Sequence, residues 1–167
     1  MTSRLRAAAL VVAAFAASGC IVMKRDTSSS RRAFAQLTRD TALAELAKAR
    51  PDAAAHLSSA AGWAAFGDGA GAAFDVEPGM GFGVAHDNAS GAETFMTTAV
   101  TDSVPLRVVV VFADAARFNA FRVHGGTIEL PPPPGVEVFC IEDGMLAPAD
   151  DVAGALFRPD LALNSTK

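Results

Sequence analysis

Residues 104–121, VPLRVVVVFADAARFNAF, constrain the fold more than any other part of this chain. Four consecutive valines at 108–111 favour an extended backbone, and a short apolar run without polar alternation is typical of a strand covered on both faces. Asp114 follows at the position of a helix N-cap, and Phe118 and Phe121 continue at helical spacing. The stretch therefore predicts a buried strand that leads directly into a short amphipathic helix at the centre of one core.

The rest of the chain predicts further helices and short strands around this core. Helical periodicity marks two segments that Pro51 separates, and alternation marks the strands. In the strand at 79–84, glycines alternate with larger side chains, so we expect one bare face that another backbone or an aromatic ring can approach closely. The predicted elements are helices at 33–50, 51–61 and 114–122, and strands at 63–66, 79–84, 93–100, 136–141 and 145–147 beside the valine strand.

These elements predict one α+β domain. About half of the 167 residues are apolar, which is enough for a sizeable core. We expect an N-terminal helical hairpin packed on an antiparallel barrel-like or sandwich β-sheet, with the helix at 114–122 closing one end. Gly62 is expected to cap the second helix, and the apolar tail at 156–164 to pack back on the body. The residues expected to face inward from the hairpin are Phe34, Leu37, Leu43, Leu46, Ala55 and Leu57.

The N-terminus has the features of an export signal. Arg4 and Arg6 precede an apolar stretch at 7–17 that is too short to span a membrane, and Ala17-Ser18-Gly19-Cys20 follows. Small residues before a cysteine resemble a bacterial lipobox, which implies that residues 1–19 are cleaved off and that Cys20 is lipidated. An ordinary signal peptide with a chance cysteine and an uncleaved anchor are the alternatives. By resemblance to lipoprotein sorting, Ile21 implies the outer membrane, facing the periplasm.

Residues 20–32 are polar, serine-rich and basic, so we expect a flexible tether between the lipid and the body. Acidic residues dominate from Pro51 onward, so the basic end of the chain is the membrane-proximal end. Anionic headgroups attract such basic residues by about 1 kcal/mol each near the surface. The alternative is a solvated tether whose charges balance an acidic body. The candidate headgroup contacts are Lys24, Arg25, Arg31, Arg32 and Arg39.

The sequence offers no motif for catalysis or for a metal. Neither HExxH nor GxSxG occurs, the three histidines lie in separate segments, and the glycines match no phosphate-binding loop. Cys140 lies in the apolar run VEVFCI and is expected to be a small buried side chain, with a reactive thiol as the minor alternative. We therefore expect no catalytic residue, no metal site, no cofactor and, because the body is acidic, no nucleic-acid partner.

The order of these segments resembles the SYLF domain, a lipid-binding family of bacterial lipoproteins and of eukaryotic actin-associated proteins. PDAAAHLSSAAGWAAF is similar to the family's helix and first strand, and GMGFGVAHDNASGAETFM to its glycine-rich hairpin. VPLRVVVVFADAARFNAF resembles its strand and acid-capped helix, and GVEVFCIEDGMLAPADDVAGALFRPDLALN its closing segment. The resemblance covers residues 41–164 and marks residues 33–167 as one SYLF-like domain.

The resemblance implies a membrane-anchored, non-enzymatic lipoprotein that binds lipid at the cell envelope. In the family, lipid binding is tied to a basic amphipathic N-terminal helix, whose counterpart here contains Arg31, Arg32 and Arg39. The alternative function is a periplasmic protein-interaction module that uses the acidic body to bind an envelope protein and touches lipid only through the acyl anchor. A third possibility is an enzyme that uses Cys140.

Overall fold

The computed structural model describes residues 27–67, 74, 76, 79–99 and 106–165, and it is an α+β fold. The described helices are α1 (Ser28–Ala49), α2 (Ala53–Ser59), α3 (Ala115–His124) and α4 (Leu161–Asn164). The strands are β1 (Gly62–Gly67), β2 (Met80–Asp87), β3 (Glu93–Ala99), β4 (Leu106–Phe112), β5 (Gly126–Thr127), β6 (Val136–Glu142), β7 (Met145–Ala147) and β8 (Leu156–Pro159).

All eight strands join in one sheet in the order β5-β8-β3-β2-β1-β4-β6-β7. Every neighbouring pair is antiparallel, and the sheet curls into an open half-barrel. Because the N-terminal helices pack on this sheet, the predicted fold class is confirmed. A short 3₁₀ turn, Ala149–Val152, leads from β7 towards β8.

Strand β4 is buried on both faces, as its valine run predicted. Val108 and Val110 lie in the core on one side of the sheet, which we call the inner face, together with α3 and β8. Val109 and Val111 lie on the opposite side, the outer face, under α1 and α2. The central strand thus separates two cores, because alternate side chains of a strand point to opposite faces.

Helix α1 begins five residues earlier than the sequence predicted. Thr27 caps it, because its side-chain oxygen accepts a hydrogen bond from the Ser30 N–H at 3.1 Å. Residues 28–32, which were predicted to belong to the tether, are therefore helical. Leu46 is buried as expected, but Leu37 is 63% exposed, so its predicted inward position was wrong.

Helix α2 is shorter than predicted. Ala53 is its buried residue, whereas Ala55, which was expected to face inward, is exposed. Gly62 does not cap it either: the helix ends at Ser59 with Ala60 as its C-cap, and Gly62 is already the first residue of β1. The sheet begins directly after α2, because β1 pairs with both β2 and β4 from Gly62 onward.

The bare glycine face of β2 is confirmed. A Cβ on Gly83 would lie 2.3 Å from the Phe66 ring, and a Cβ on Gly81 would lie 2.2 Å from the Gly67 carbonyl oxygen. Both distances are far below van der Waals contact. The absence of side chains at these positions therefore lets β2 lie closely against β1 and its aromatic residue.

The C-terminal segment packs back on the body, as predicted. Leu163 is buried, and the Asn164 side chain exchanges two 2.8 Å hydrogen bonds with the backbone of Phe95, one from the Phe95 N–H and one to its carbonyl. Asp160 caps α4 by accepting from the N–H groups of Ala162 and Leu163. Within the described part of the chain, no helix has both the length and the apolar character that a membrane crossing requires.

Candidate functional site

Helix α3 covers part of the inner face, and both of its ends are well defined. Asp114 accepts a 2.7 Å hydrogen bond from the Arg117 N–H, which confirms the predicted N-cap. At the other end, Gly125 has φ +73, and its N–H donates to the Phe121 carbonyl at 2.7 Å. This left-handed conformation favours glycine. A Cβ there would also lie 2.1 Å from the Phe157 carbonyl oxygen.

A ring of phenylalanines holds α3 against the sheet. The Phe118 and Phe121 rings lie 5.8 and 5.0 Å from the Phe112 ring of β4, measured between centroids. Phe121 also contacts Phe66 and Phe157 at 6.4 and 5.8 Å. These aromatic contacts bury the face of α3 that points into the half-barrel, and they fix where the helix lies.

A cavity of about 290 Å³ lies beside this ring, between α3, β4 and the segment that follows β5. We call it the α3 cavity. Its floor is apolar, and its exposed edge carries three ionisable side chains, Arg117, His124 and Glu129. The apolar floor is formed by Val110, Phe112, Phe121, Ile128, Pro133 and Val136. An apolar chamber with a few polar groups at its opening is the usual form of a small-molecule site.

The edge of the α3 cavity is electrically polarised along the helix. Arg117 lies in the first turn of α3, where the helix dipole is positive, and His124 lies in the last turn, where it is negative. Glu129 lies beyond this negative end in the sequence. Among the described residues, neither Arg117 nor Glu129 has an oppositely charged group within 4.0 Å. Both charges are therefore available to a ligand.

The arginines that were predicted to contact lipid headgroups make contacts within the domain. Arg32 donates from Nε to the Leu163 carbonyl at 2.8 Å and so joins α1 to α4. Arg39 forms ion pairs with Asp40 and Glu93, and its side chain is only 17% exposed.

The Arg31 guanidinium lies 5.8 Å from the centroid of the Phe82 ring. The structure thus places Arg31, Arg32 and Arg39 on the side of α1 that faces the sheet and α4, where they help to hold the helix. Cys20, Lys24 and Arg25 lie outside the described residues.

A second polar cluster joins α2 to β6. The Nδ1 atom of His56 lies 2.9 Å from both carboxylate oxygens of Glu137. Arg50 donates two 2.8 Å hydrogen bonds to Asp52, which lower the pKa of that carboxyl group to about 2. The His56–Glu137 contact joins α2 to β6 and borders a cavity of only about 90 Å³, and the Arg50–Asp52 pair lies within the connection between α1 and α2, so we assign the cluster a structural role.

The remaining histidine and cysteine candidates make packing contacts within the fold. His86 stacks on Trp63, with ring centroids 4.9 Å apart. Cys140 is 1% exposed within β6, which confirms its predicted burial. Across the described ranges, no three of the His, Cys, Asp and Glu side chains are placed to hold a metal ion.

Sequence reasoning missed the α3 cavity. Arg117 and Glu129 carried no signal in the sequence, because they line one cavity only when α3 and the segment after β5 are packed against β4. No protein-family model matches the chain, and no curated protein matches it either.

Proposed function

We propose that this chain is a lipid-anchored, non-enzymatic lipoprotein of the cell envelope and that its SYLF-like domain binds lipid in the α3 cavity. Acylated Cys20 would hold it at the outer membrane, facing the periplasm. The observation that carries the proposal is the α3 cavity, because an apolar chamber with charges at its edge suits an amphiphile. Each methylene that leaves water for such a chamber contributes about 0.8 kcal/mol.

The contacts of the arginines change which part of the domain is proposed to hold lipid. Arg32 and Arg39 already bind a carbonyl and two carboxylates, so headgroup binding by them would have to replace those interactions. Lys24 and Arg25 are closer to the anchor. They follow Cys20 by four and five residues in the sequence. They support the tether's attraction to anionic headgroups.

Two experiments separate the anchor from the domain. Incorporation of labelled palmitate should be lost in Cys20→Ser, and incorporation that persists in this variant would refute lipidation at Cys20. In flotation assays, the soluble form that begins at Ile21 should be enriched on vesicles containing anionic lipid relative to neutral vesicles. Equal flotation on both would eliminate headgroup attraction by the tether and leave the cavity proposal standing.

The cavity itself is tested by filling it. Ala120 lines the α3 cavity and is exposed, so Ala120→Trp can occupy the space without disturbing the core. Ala116 is exposed on the same helix but does not line the cavity, so Ala116→Trp is the matched control. We expect binding of a fluorescent fatty acid to be lost in the first variant and kept in the second. Unchanged binding in Ala120→Trp would rule out this site.

One observation favours the alternative function, a protein-interaction module. Strand β7 is an edge of the sheet, and Met145 and Leu146 on it are 69% and 44% exposed. Exposed apolar side chains at a strand edge are suited to contact with another protein. If this edge binds an envelope partner, capture of that partner should survive removal of residues 21–26 and be lost in Leu146→Lys. Capture that needs residues 21–26 would contradict it.

A further inference from the structure

We infer that the α3 cavity takes an amphiphile with a single apolar chain and an anionic head, and that this head binds Arg117. The inference rests on the proposed function, that the cavity binds lipid, and it names the class of lipid and its orientation.

The size of the α3 cavity restricts the ligand to one chain. Its volume of about 290 Å³ lies just below the roughly 300–1,000 Å³ that is usual for ligand pockets. Arg117 and His124 are seven positions apart on α3, which corresponds to about 10 Å along the helix axis. A chamber of this length and volume fits one acyl chain of moderate length, and it is too small for both chains of a phospholipid.

The charges at the edge of the cavity favour an anionic head at one end. Arg117 is the one lining side chain with a permanent positive charge, and it has no ion-pair partner among the described residues. It also lies in the turn of α3 where the helix dipole is positive. A guanidinium binds carboxylate and phosphate oxygens through two parallel hydrogen bonds.

The opposite end of the cavity disfavours an anion. The last turn of α3 is the negative end of its dipole, which repels an anionic head placed there. Glu129 also lines the cavity and repels an anionic head placed beside it. A head at Arg117 instead meets a guanidinium and the positive end of the dipole. The chain of the ligand would then lie along Phe121, over the floor formed by Val110 and Ile128.

A fatty acid and a lysophospholipid share this chemistry, so the experiment includes both. The full-length lipidated protein is reconstituted in phosphatidylcholine vesicles and photolabelled with dodecanoate that carries a diazirine on its chain. Labelled peptides are mapped by mass spectrometry, and unlabelled dodecanoate, lysophosphatidylglycerol, dodecanol and dodecylammonium are used as competitors. Dodecanol has the same chain without a charge, and dodecylammonium has the same chain with a positive charge.

We expect label on α3 and on residues 126–136, with competition by the anionic competitors and weak competition by dodecanol and dodecylammonium. If lysophosphatidylglycerol competes as strongly as dodecanoate, the cavity accepts a phosphate head. If dodecanoate alone competes, the ligands are restricted to carboxylates. Both results agree with the inference. Arg117→Gln should weaken labelling by dodecanoate about tenfold, because the charge-assisted hydrogen bonds from the guanidinium to the carboxylate are lost. Glu129→Gln should leave labelling unchanged or strengthen it. Arg158→Gln, an exposed arginine of β8 outside the cavity, controls for net charge.

Two other results would overturn the inference in distinguishable ways. If dodecanoate labels the cavity but Arg117→Gln behaves like Arg158→Gln, or if dodecanol competes equally, the cavity binds lipid without the proposed head contact. If no amphiphile labels the cavity at all, the proposed function fails together with the inference.

Discussion

The bare glycine face of β2 provides a sharp test of how the sheet is packed. In Gly81→Ala the new methyl group would lie 2.2 Å from the Gly67 carbonyl oxygen and 2.9 Å from Cγ2 of Thr98. The first obstacle belongs to the backbone of β1, which pairs with β2 and β4 along its whole length. Relief of this clash requires β1 and β2 to move apart, because the carbonyl oxygen is a backbone atom and cannot rotate away as a side chain could.

The size of the effect follows from two opposing terms. Overpacking of a well-packed core costs about 1–3 kcal/mol, and a clash with backbone belongs at the upper end of this range. Alanine also reduces the conformational freedom of the unfolded chain, which stabilises the fold by about 0.4–1 kcal/mol. We therefore expect Gly81→Ala to lower the free energy of unfolding by about 2 kcal/mol. With an m-value of about 2 kcal/mol/M in urea, the unfolding midpoint should fall by about 1 M.

A second glycine of the same sheet supplies the matched control. A Cβ on Gly62 would lie 2.6 Å from the Phe118 ring, and no backbone atom is among its nearest contacts. A ring can shift, so Gly62→Ala should lower the midpoint by about half as much, and Phe118→Leu should relieve part of the clash in the double variant. Urea unfolding of the soluble form that begins at Ile21 measures all three. If Gly81→Ala unfolds at the wild-type midpoint, or later than Gly62→Ala, this reasoning is refuted.

Three further predictions concern single side chains. Asp114→Ala removes the N-cap of α3 and should destabilise the fold by about 1 kcal/mol in urea unfolding, so an unchanged midpoint would contradict the cap's role. Thr98 is 3% exposed and its hydroxyl has no hydrogen-bond partner among residues 27–67, 74, 76, 79–99 and 106–165, so Thr98→Val should raise the stability by about 1 kcal/mol, and a loss of stability would show that the hydroxyl is hydrogen-bonded. The hydrogen bonds from Arg50 lower the pKa of Asp52 to about 2 from its ordinary 3.8, so the ionised carboxylate stabilises the fold above pH 3.8 and this contribution is lost as the pH falls towards 2. Wild-type stability should therefore decrease more steeply than that of Asp52→Asn across this range, and parallel curves would contradict the pairing.

The parts of the fold that depend on local chemistry could be predicted from the sequence. The valine run specified β4 because a strand buried on both faces needs apolar residues without alternation. Asp114 marked the start of α3, since an N-cap needs only its own side chain and the next two or three backbone N–H groups. The tail was also predictable, although its position between β3 and β5 was not.

The parts that depend on distant partners could not be predicted. Leu37 and Ala55 lie on the apolar side of their helical patterns, but the sheet covers a different stripe of each helix, so both remain exposed. The partner of Arg32 is 131 residues away in sequence. The α3 cavity is of the same kind, because its lining comes from four elements whose pairing the sequence does not specify.

The contacts of the arginines indicate which of them stabilise the fold and which can bind a ligand. Arg32 and Arg39 hold α1 to α4 and β3, so they contribute to stability. Arg117, which has no ion-pair partner among the described residues, lines the α3 cavity on the inner face, on a helix whose position is fixed by aromatic packing. If lipid binding depended on the α1 arginines, Arg32→Gln would impair folding and binding together. If it depends on Arg117, binding and stability can be separated, because Arg117 is exposed and only its backbone N–H takes part in the cap of α3.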